Sequence, residues 1–386
     1  MLLSLFRWIT FLNWLYRLYS PIAEIHLERL IRNYRKIQQL VGDAVVMPVV
    51  KANGYGHGAI PVTKSLQKEG VKFFAVFTFD EAVELRENGI DGDILIFCRM
   101  TMDILSSAVD LNITLNIAHE EDIAYLTEFS HKTGKCPKVH LKVDTGMTRL
   151  GVDFEKLYDL FGKIKTINGI NLEGIYTHFA TSDEGDPAYA ELQIQRFEEA
   201  VKMSKKLNLP IKYYHIANSG GVLNHPNSYF NMVRVGMLMY GAYPSDETTE
   251  CIKVEPVMNF KGPIVSMRRV KAGTPVSYGS VYAPERDANI GVIQTGFADG
   301  FPRNWYKHGY VGYRGKEYKM AGRVCMDQFM VNFENDMPKI GAEVLFFGDN
   351  GENRIRIEDV ALDVDLTTYV LMTAIGGRTK RVYVNE

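Results

Sequence analysis

The stretch VMPVVKANGYGHG, residues 46–58, ends an apolar run on a lysine and follows it with three glycines, a tyrosine and a histidine. A lysine at a strand end is ordinarily a surface residue reaching for water. Gly54, Gly56 and Gly58 argue for more, because they let the backbone turn sharply and approach something bulky. Lysine also forms Schiff bases, and a partly desolvated amine is a usable base near neutral pH. Other chemistry-bearing residues close apolar runs downstream: Lys142 and Arg149 in VHLKVDTGMTRLG, His178 in EGIYTHFA, His215, Asn218 and Ser219 in YYHIANSGG, and Arg234 with Gly236 in NMVRVGM.

The elements that carry these residues repeat. Strand-like runs at 45–50, 73–77, 93–98, 112–116, 138–143, 172–177, 212–216 and 232–235 alternate with amphipathic segments such as 80–89 and 187–206. Eight rounds of strand and helix predict an α/β fold, a parallel (β/α)8 TIM-type barrel, with an open doubly wound sheet as the alternative. Active sites of such barrels gather at the C-terminal strand ends. Lysine, arginine or histidine at five of eight ends is therefore a pattern rather than an accident. After Tyr240 the rhythm changes to short β-rich runs (VSYGSVYA, ANIGVIQTG, RVCMDQFMVNF, EVLFFG) broken by Gly, Pro and Asp. The expected organisation is an apolar extension at 1–20, a barrel at 21–245 and a mostly β C-terminal domain at 246–386.

Composition narrows the function classes. The chain has 386 residues, 46% of them hydrophobic, and a net charge of -2, enough for a large core and without the basic stripe that nucleic-acid binding needs. Its four cysteines, Cys98, Cys136, Cys251 and Cys325, have no paired spacing, which suits a reducing cytosol and a cytoplasmic location. No cysteine–histidine cluster suggests a metal site. The first twenty residues, MLLSLFRWITFLNWLYRLYS, are apolar and aromatic with a narrow polar stripe. They lack a basic start and a small-residue cleavage site, and Arg7 and Asn13 would sit inside a membrane span. A helix packed on the protein's own surface is the first reading; an interfacial membrane helix and an extension from an upstream start codon stand beside it.

The sequence SGG at 219–221 opens a short helical segment, and Gly236–Met237 follow the eighth strand. Exposed N–H groups at such starts hold phosphate, and barrels commonly place that site after strands seven and eight. Ser219 as a mere helix cap is the competing reading. Phosphate together with a Schiff-base lysine suggests pyridoxal 5'-phosphate.

Taken in order, VVKANGYGHG, HLKVDTGMTRLG, THFA, HIANSGG, NMVRVGMLMYG, VSYGSVYAPE, GFADGFPR and GRVCMDQ resemble bacterial alanine racemase from about Pro21 to the C-terminus. The resemblance implies an isomerase: a pyridoxal-phosphate barrel joined to a β domain, interconverting L- and D-alanine and supplying D-alanine for peptidoglycan. It implies a head-to-tail homodimer in which each site is completed by the partner's β domain. Lys51 would hold the cofactor through its amine, and Tyr278 would be the second base. Arg234 would face the pyridine nitrogen. Tyr55, Ser219, Gly236 and Met237 would contact the phosphate, with Asn218 among the cofactor-binding residues. His178 and Arg149 would orient and tune the tyrosine, and Arg149 and Met326 would serve the substrate. Lys142 matches a lysine often carbamylated in the family.

Three positions depart from the family pattern. Gly377 and Phe297 stand where many members carry tyrosines near the entrance, and Thr148 stands where glycine is common. Serine or a somewhat larger amino acid is therefore an alternative substrate. A cofactor carrier, a decarboxylase on the same barrel and a cofactor-free binding module are the other classes; the β domain with Tyr278 and Met326 argues against the carrier.

Overall fold

A computed structural model describes residues 20–167 and 169–384. The apolar extension therefore lies outside the described residues, Ser20 apart. The chain divides into two compact units, residues 30–254 and a discontinuous unit of residues 20–29 with 255–384.

The first unit is the barrel. Its parallel strands are Val45–Pro48, Phe73–Val76, Asp93–Ile96, Ile113–Ile117, Lys138–Asp144, Asn171–Tyr176, Tyr213–His215 and Met232–Val235. Each consecutive pair from the second strand to the seventh is hydrogen-bonded, and the eighth pairs with the first through Met232↔Val45 to Val235↔Pro48. A bridge between Val49 and Ala75 joins the first strand to the second. Arg234 N donates to Ala217 O, 2.9 Å, and joins the eighth to the seventh. The ring is thus closed. Closure explains the uninterrupted apolar runs: Phe73–Val76, Ile113–Ile117 and Met232–Val235 are buried along their whole lengths, because helices cover one face and the barrel interior the other.

The connecting helices start and stop on local signals. Phe79–Glu87 begins at a capping box in which Thr78 Oγ1 accepts the Glu81 N–H at 3.2 Å while the Glu81 carboxylate accepts the Thr78 N–H at 3.1 Å. It ends at Asn88, and Gly89 follows at φ 79. Ala188–Lys206 matches the amphipathic segment expected at 187–206. One arginine staples several turns together: the Arg86 guanidinium donates to Leu111 O, Asn112 O, Ile90 O and Gly92 O at 2.6–2.9 Å.

The second unit is mostly β, as expected. Its sheet runs Lys316–Lys319, Tyr310–Tyr313, Glu343–Asp349, Met258–Val270, Ile22–His26, Lys380–Val384, with Ala288–Ile293 and Phe329–Asn332 continuing from the long strand Met258–Val270. Phe260, Phe301, Phe329 and Phe346 pack at its centre with ring centroids 4.4–5.5 Å apart. Two expectations are corrected. Ile22–His26 does not open the barrel; it pairs antiparallel with Met258–Val270 and parallel with Lys380–Val384, so the boundaries 21–245 and 246–386 give way to the division above. An isolated apolar strand carries no mark of which sheet it joins. VSYGSVYA is not a strand: Tyr278–Ser280 form a 3-10 turn, because Ser277, Gly279 and Ser280 adopt positive φ.

Arg86→Ala is expected to destabilise the chain by roughly 2 kcal/mol, since it leaves several carbonyls to water that reaches them only in part. Chemical denaturation checks this; an unchanged midpoint would remove the staple from the account.

Candidate active site

The eighth strand carries the centre of the site. Arg234 is 3% exposed inside the barrel. Its Nη1 donates to His215 Nδ1 at 3.1 Å and His215 O at 3.0 Å. Its Nη2 donates to Thr177 O at 2.7 Å, Ile216 O at 3.0 Å and His178 Nδ1 at 3.1 Å. A guanidinium only donates, so both imidazoles accept through Nδ1 and carry their proton on Nε2. His215 Nε2 then donates to His140 Nδ1, 2.9 Å away. Burial and the arginine's charge hold His178 and His215 well below the ordinary histidine range and His140 down at about 3. The chain of groups is therefore one cation followed by neutral rings. Burial lowers Arg234 itself to about 10, which leaves it charged at neutral pH. Its Nε–H makes no hydrogen bond among the described residues.

Lysines and a second arginine share this field. Lys142, on the fifth strand, is buried, with Nζ 5.8 Å from the Tyr176 ring centre. Burial, then Arg149 and Arg234, lower its amine to about 8. Lys51, directly after the first strand, is lowered by burial first and then by Arg149 and Arg234; Glu81 acts in the opposite sense. Among the described residues, Lys51, Lys142 and Arg149 make no ion pair. Arg149 is thus not the surface ion-pair partner that its type suggests.

The backbone after Lys51 is left-handed. Ala52, Asn53, Gly54 and Tyr55 have φ of 52, 53, 61 and 51. Such angles cost about 1–2 kcal/mol for each residue with a Cβ, so the turn persists only because its surroundings fix it. Ala52 N donates to Glu81 Oε1 at 2.6 Å, Ala59 N to Asn53 Oδ1 at 2.9 Å, and Gly54 N to Val50 O at 2.8 Å. The turn lays Tyr55 against Gly236, where an added Cβ would stand 2.5 Å from Tyr55 Oη. Tyr55 and Gly236, far apart in sequence, are therefore neighbours. Ser219 begins the helix Ser219–Asn224 but does not cap it. Asn218 does, accepting Gly221 N at 2.9 Å, while Ser219 Oγ accepts Leu238 N at 3.3 Å. The capping role therefore belongs to Asn218, not Ser219. The helix starts at Ser219–Gly220 and Gly236–Met237 present N–H groups that have no intrahelical partner among the described residues.

Tyr278 and Met326 belong to the β unit. Both are exposed, at 70% and 56%. Ser277 Oγ donates to Arg323 O at 2.7 Å, and Ala298 N to Met326 O at 3.0 Å, so the loops bearing Tyr278, Met326 and Phe297 are tied together. Gly296 is required there, since a Cβ would overlap Met326 O at 2.1 Å. Arg378 holds the neighbouring loop by donating to Asp299 Oδ1 at 3.0 Å and Asp327 Oδ1 at 2.7 Å. A side chain at Gly377 would meet nothing within 4 Å.

Residues 25–244 match the alanine racemase N-terminal domain model, and residues 257–383 the C-terminal domain model. Alanine racemase 2 of Caldanaerobacter subterraneus subsp. tengcongensis is 38% identical over 365 residues, 94% of this chain and 94% of that protein. The chain belongs to the alanine racemase family. Alanine racemase of Carboxydothermus hydrogenoformans is 38% identical over 364 residues, 94% of this chain and 99% of that protein. A solved alanine racemase of Clostridium difficile 630 superposes with a TM-score of 0.89 at 33% identity, covering 95% of this chain and 96% of that one. One from Streptomyces lavendulae gives 0.90 at 31%, covering 95% and 98%. The protein is accordingly an enzyme of the isomerase class. Among the described residues no helix is long and apolar enough to cross a membrane, and no cluster of His, Cys, Asp and Glu could hold a metal ion.

Sequence reasoning missed His140, Tyr176 and Glu81. His140 could have been found from strand period, because it lies two residues before Lys142 on the same face. Glu81 is marked by the T-x-x-E pattern from Thr78. Tyr176, whose Oη donates to Asn116 Oδ1 at 3.0 Å and whose ring stacks 4.9 Å from His215, carries no local signal.

Two outcomes are expected at this site. Gly236→Ala pushes a Cβ into the Tyr55 ring and should cost about 1–3 kcal/mol by denaturation. Thr148 sits at φ 54, the conformation glycine adopts freely, with its N–H on Asp144 Oδ1 at 3.1 Å. Thr148→Gly should therefore stabilise by roughly 0.5–1 kcal/mol, the left-handed strain exceeding glycine's entropic cost. A lower melting temperature in Thr148→Gly would contradict this.

Proposed function

We propose that the enzyme interconverts L- and D-alanine with pyridoxal 5'-phosphate, using Lys51 and Tyr278 as bases on opposite faces of Cα, and so supplies D-alanine for peptidoglycan in the cytoplasm. The observation that carries this reading is the convergence of Lys51, Lys142, Arg149 and Arg234 in one field, none of them in an ion pair among the described residues. Such a field suits an anionic ligand. Tyr55, Ser219 and the N–H groups at Gly236–Met237 would hold the phosphate, and the glycine at 236 is what lets the Tyr55 hydroxyl come this close to that backbone. Arg234 Nε, the donor left over, would serve the ring nitrogen, and a cation there would disfavour a protonated ring.

When bound, the cofactor would supply an electron sink for Cα, which would acidify the Cα–H bond. The protein's part is to move the proton. A lowered Lys51 amine is more often neutral near pH 7 and can accept a proton from one face, while the Tyr278 hydroxyl gives one to the other. His178, held to Arg234, and Arg149 place positive charge and a fixed dipole around the reaction. Met326 would meet the substrate carboxylate through its backbone.

Tyr278 and Met326 would come from the partner chain of a homodimer. Mixing two inactive variants tests that arrangement. Lys51→Ala removes the covalent link and one base. Tyr278→Phe keeps the cofactor and should lose about 10²–10⁴-fold in turnover. If sites are shared, a mixed dimer holds one intact site and recovers part of the activity, read by chiral analysis of L-alanine incubations. No recovery, with subunit exchange shown by native mass measurement, would sink the shared site. The same assay with L-serine addresses the alternative substrate that Gly377 and Phe297 favour.

A further inference from the structure

The Glu81 carboxylate does more than cap its own helix. Oε2 accepts Phe77 N at 2.8 Å and Thr78 N at 3.1 Å, which is the capping role. Oε1 reaches out of the helix and accepts Ala52 N at 2.6 Å. That N–H belongs to the residue after Lys51 and to the first residue of the left-handed turn. Charged groups act on Lys51 from several elements. Arg149 lies after the fifth strand and Arg234 on the eighth, and both disfavour a protonated amine. Lys142 on the fifth strand and the neutral His178 after the sixth share the same field. Glu81 alone among the charges acting on Lys51 favours the ammonium.

We propose that Glu81 is a positioning residue for Lys51: its carboxylate fixes the turn that aims the lysine and supplies the negative charge that balances the surrounding cations. A hydrogen bond to a charged acceptor offsets part of the strain at Ala52 and Asn53. The same charge keeps the amine from being driven too far from the pH at which a base both accepts and returns a proton. The idea deepens the reading of Lys51 as the reactive amine, and it can be tested without turnover.

The experiment uses the full-length chain freed of cofactor. Lys51 is labelled with acetic anhydride across a pH series, and the extent is read by mass spectrometry. Glu81→Gln removes the charge at nearly constant shape. Its Lys51 labelling curve is expected to move to lower pH, with several-fold faster labelling near neutrality, because less of the amine is protonated. Glu81→Asp keeps the charge but shortens the reach. It is expected to leave the labelling curve near the parent's while amide hydrogen exchange at Ala52 accelerates. Thr78→Val removes the hydroxyl half of the capping box and leaves Glu81 in place. It should change neither the curve nor the Ala52 exchange. A Glu81→Gln curve that coincides with the parent's overturns the electrostatic role. An Asp curve that follows the Gln curve overturns it as well. If Thr78→Val reproduces the Glu81 effects, Glu81 serves only its own helix. Where the Gln variant fails to fold, the Asp and Val variants still decide the positioning role: Ala52 exchange unchanged in Glu81→Asp overturns it. Loss of racemase activity alone plays no part in the test, so failure of the functional reading stays distinguishable.

Discussion

The structure depends on keeping one guanidinium charged where water cannot reach it. A buried cation is tolerable only if its donors are used and its neighbours do not compete with its charge. Arg234 meets the first condition at both Nη atoms, through carbonyls of Thr177, His215 and Ile216 and the Nδ1 atoms of His178 and His215, and keeps only its Nε–H in reserve. It meets the second because those histidines are neutral. Three strand ends are thereby tied to a single side chain, since the acceptors come from the sixth and seventh strands and the donor from the eighth. The orientation of His178 and the tautomer of His215 both follow from this one set of bonds.

The same charge sets the character of the lysines. Lys51 and Lys142 are lowered by burial first and by arginines second. Burial already favours their neutral form; the arginines add to that and make the state of both amines depend on whatever anion arrives between them. Binding an anion and tuning a base are therefore one electrostatic event. Gly236 and the left-handed turn act on geometry instead, allowing the Tyr55 hydroxyl to approach the backbone directly after the eighth strand.

Much of this was legible in the sequence. The eight barrel strands appear within a few residues of their expected positions, because buried parallel strands are written as apolar runs. The residues closing them, Lys51, Lys142, His178 and Arg234, converge because the barrel places strand ends on one rim. What was not legible has physical reasons. Ile22–His26 has the same apolar character whichever sheet it joins. Tyr278 sits on a 3-10 turn because three positive φ angles interrupt a β-like composition. Asn218 and Ser219 are both good caps by type, and only packing decides that Asn218 takes the role. His140 and Glu81 act through a second residue, so their importance is invisible until the partners are placed.

The strand Ile22–His26 has a consequence for synthesis. It is the first of the described strands to be synthesised, yet its two partners, Met258–Val270 and Lys380–Val384, emerge more than two hundred and more than three hundred residues later. At about 5–20 residues per second, the gap before the last partner is roughly 20–70 s. Residues 30–254 are complete well before that and contain their own core. The barrel can therefore be folded while its companion unit is still waiting for its final strand, and the nascent chain must carry an unpaired apolar edge throughout.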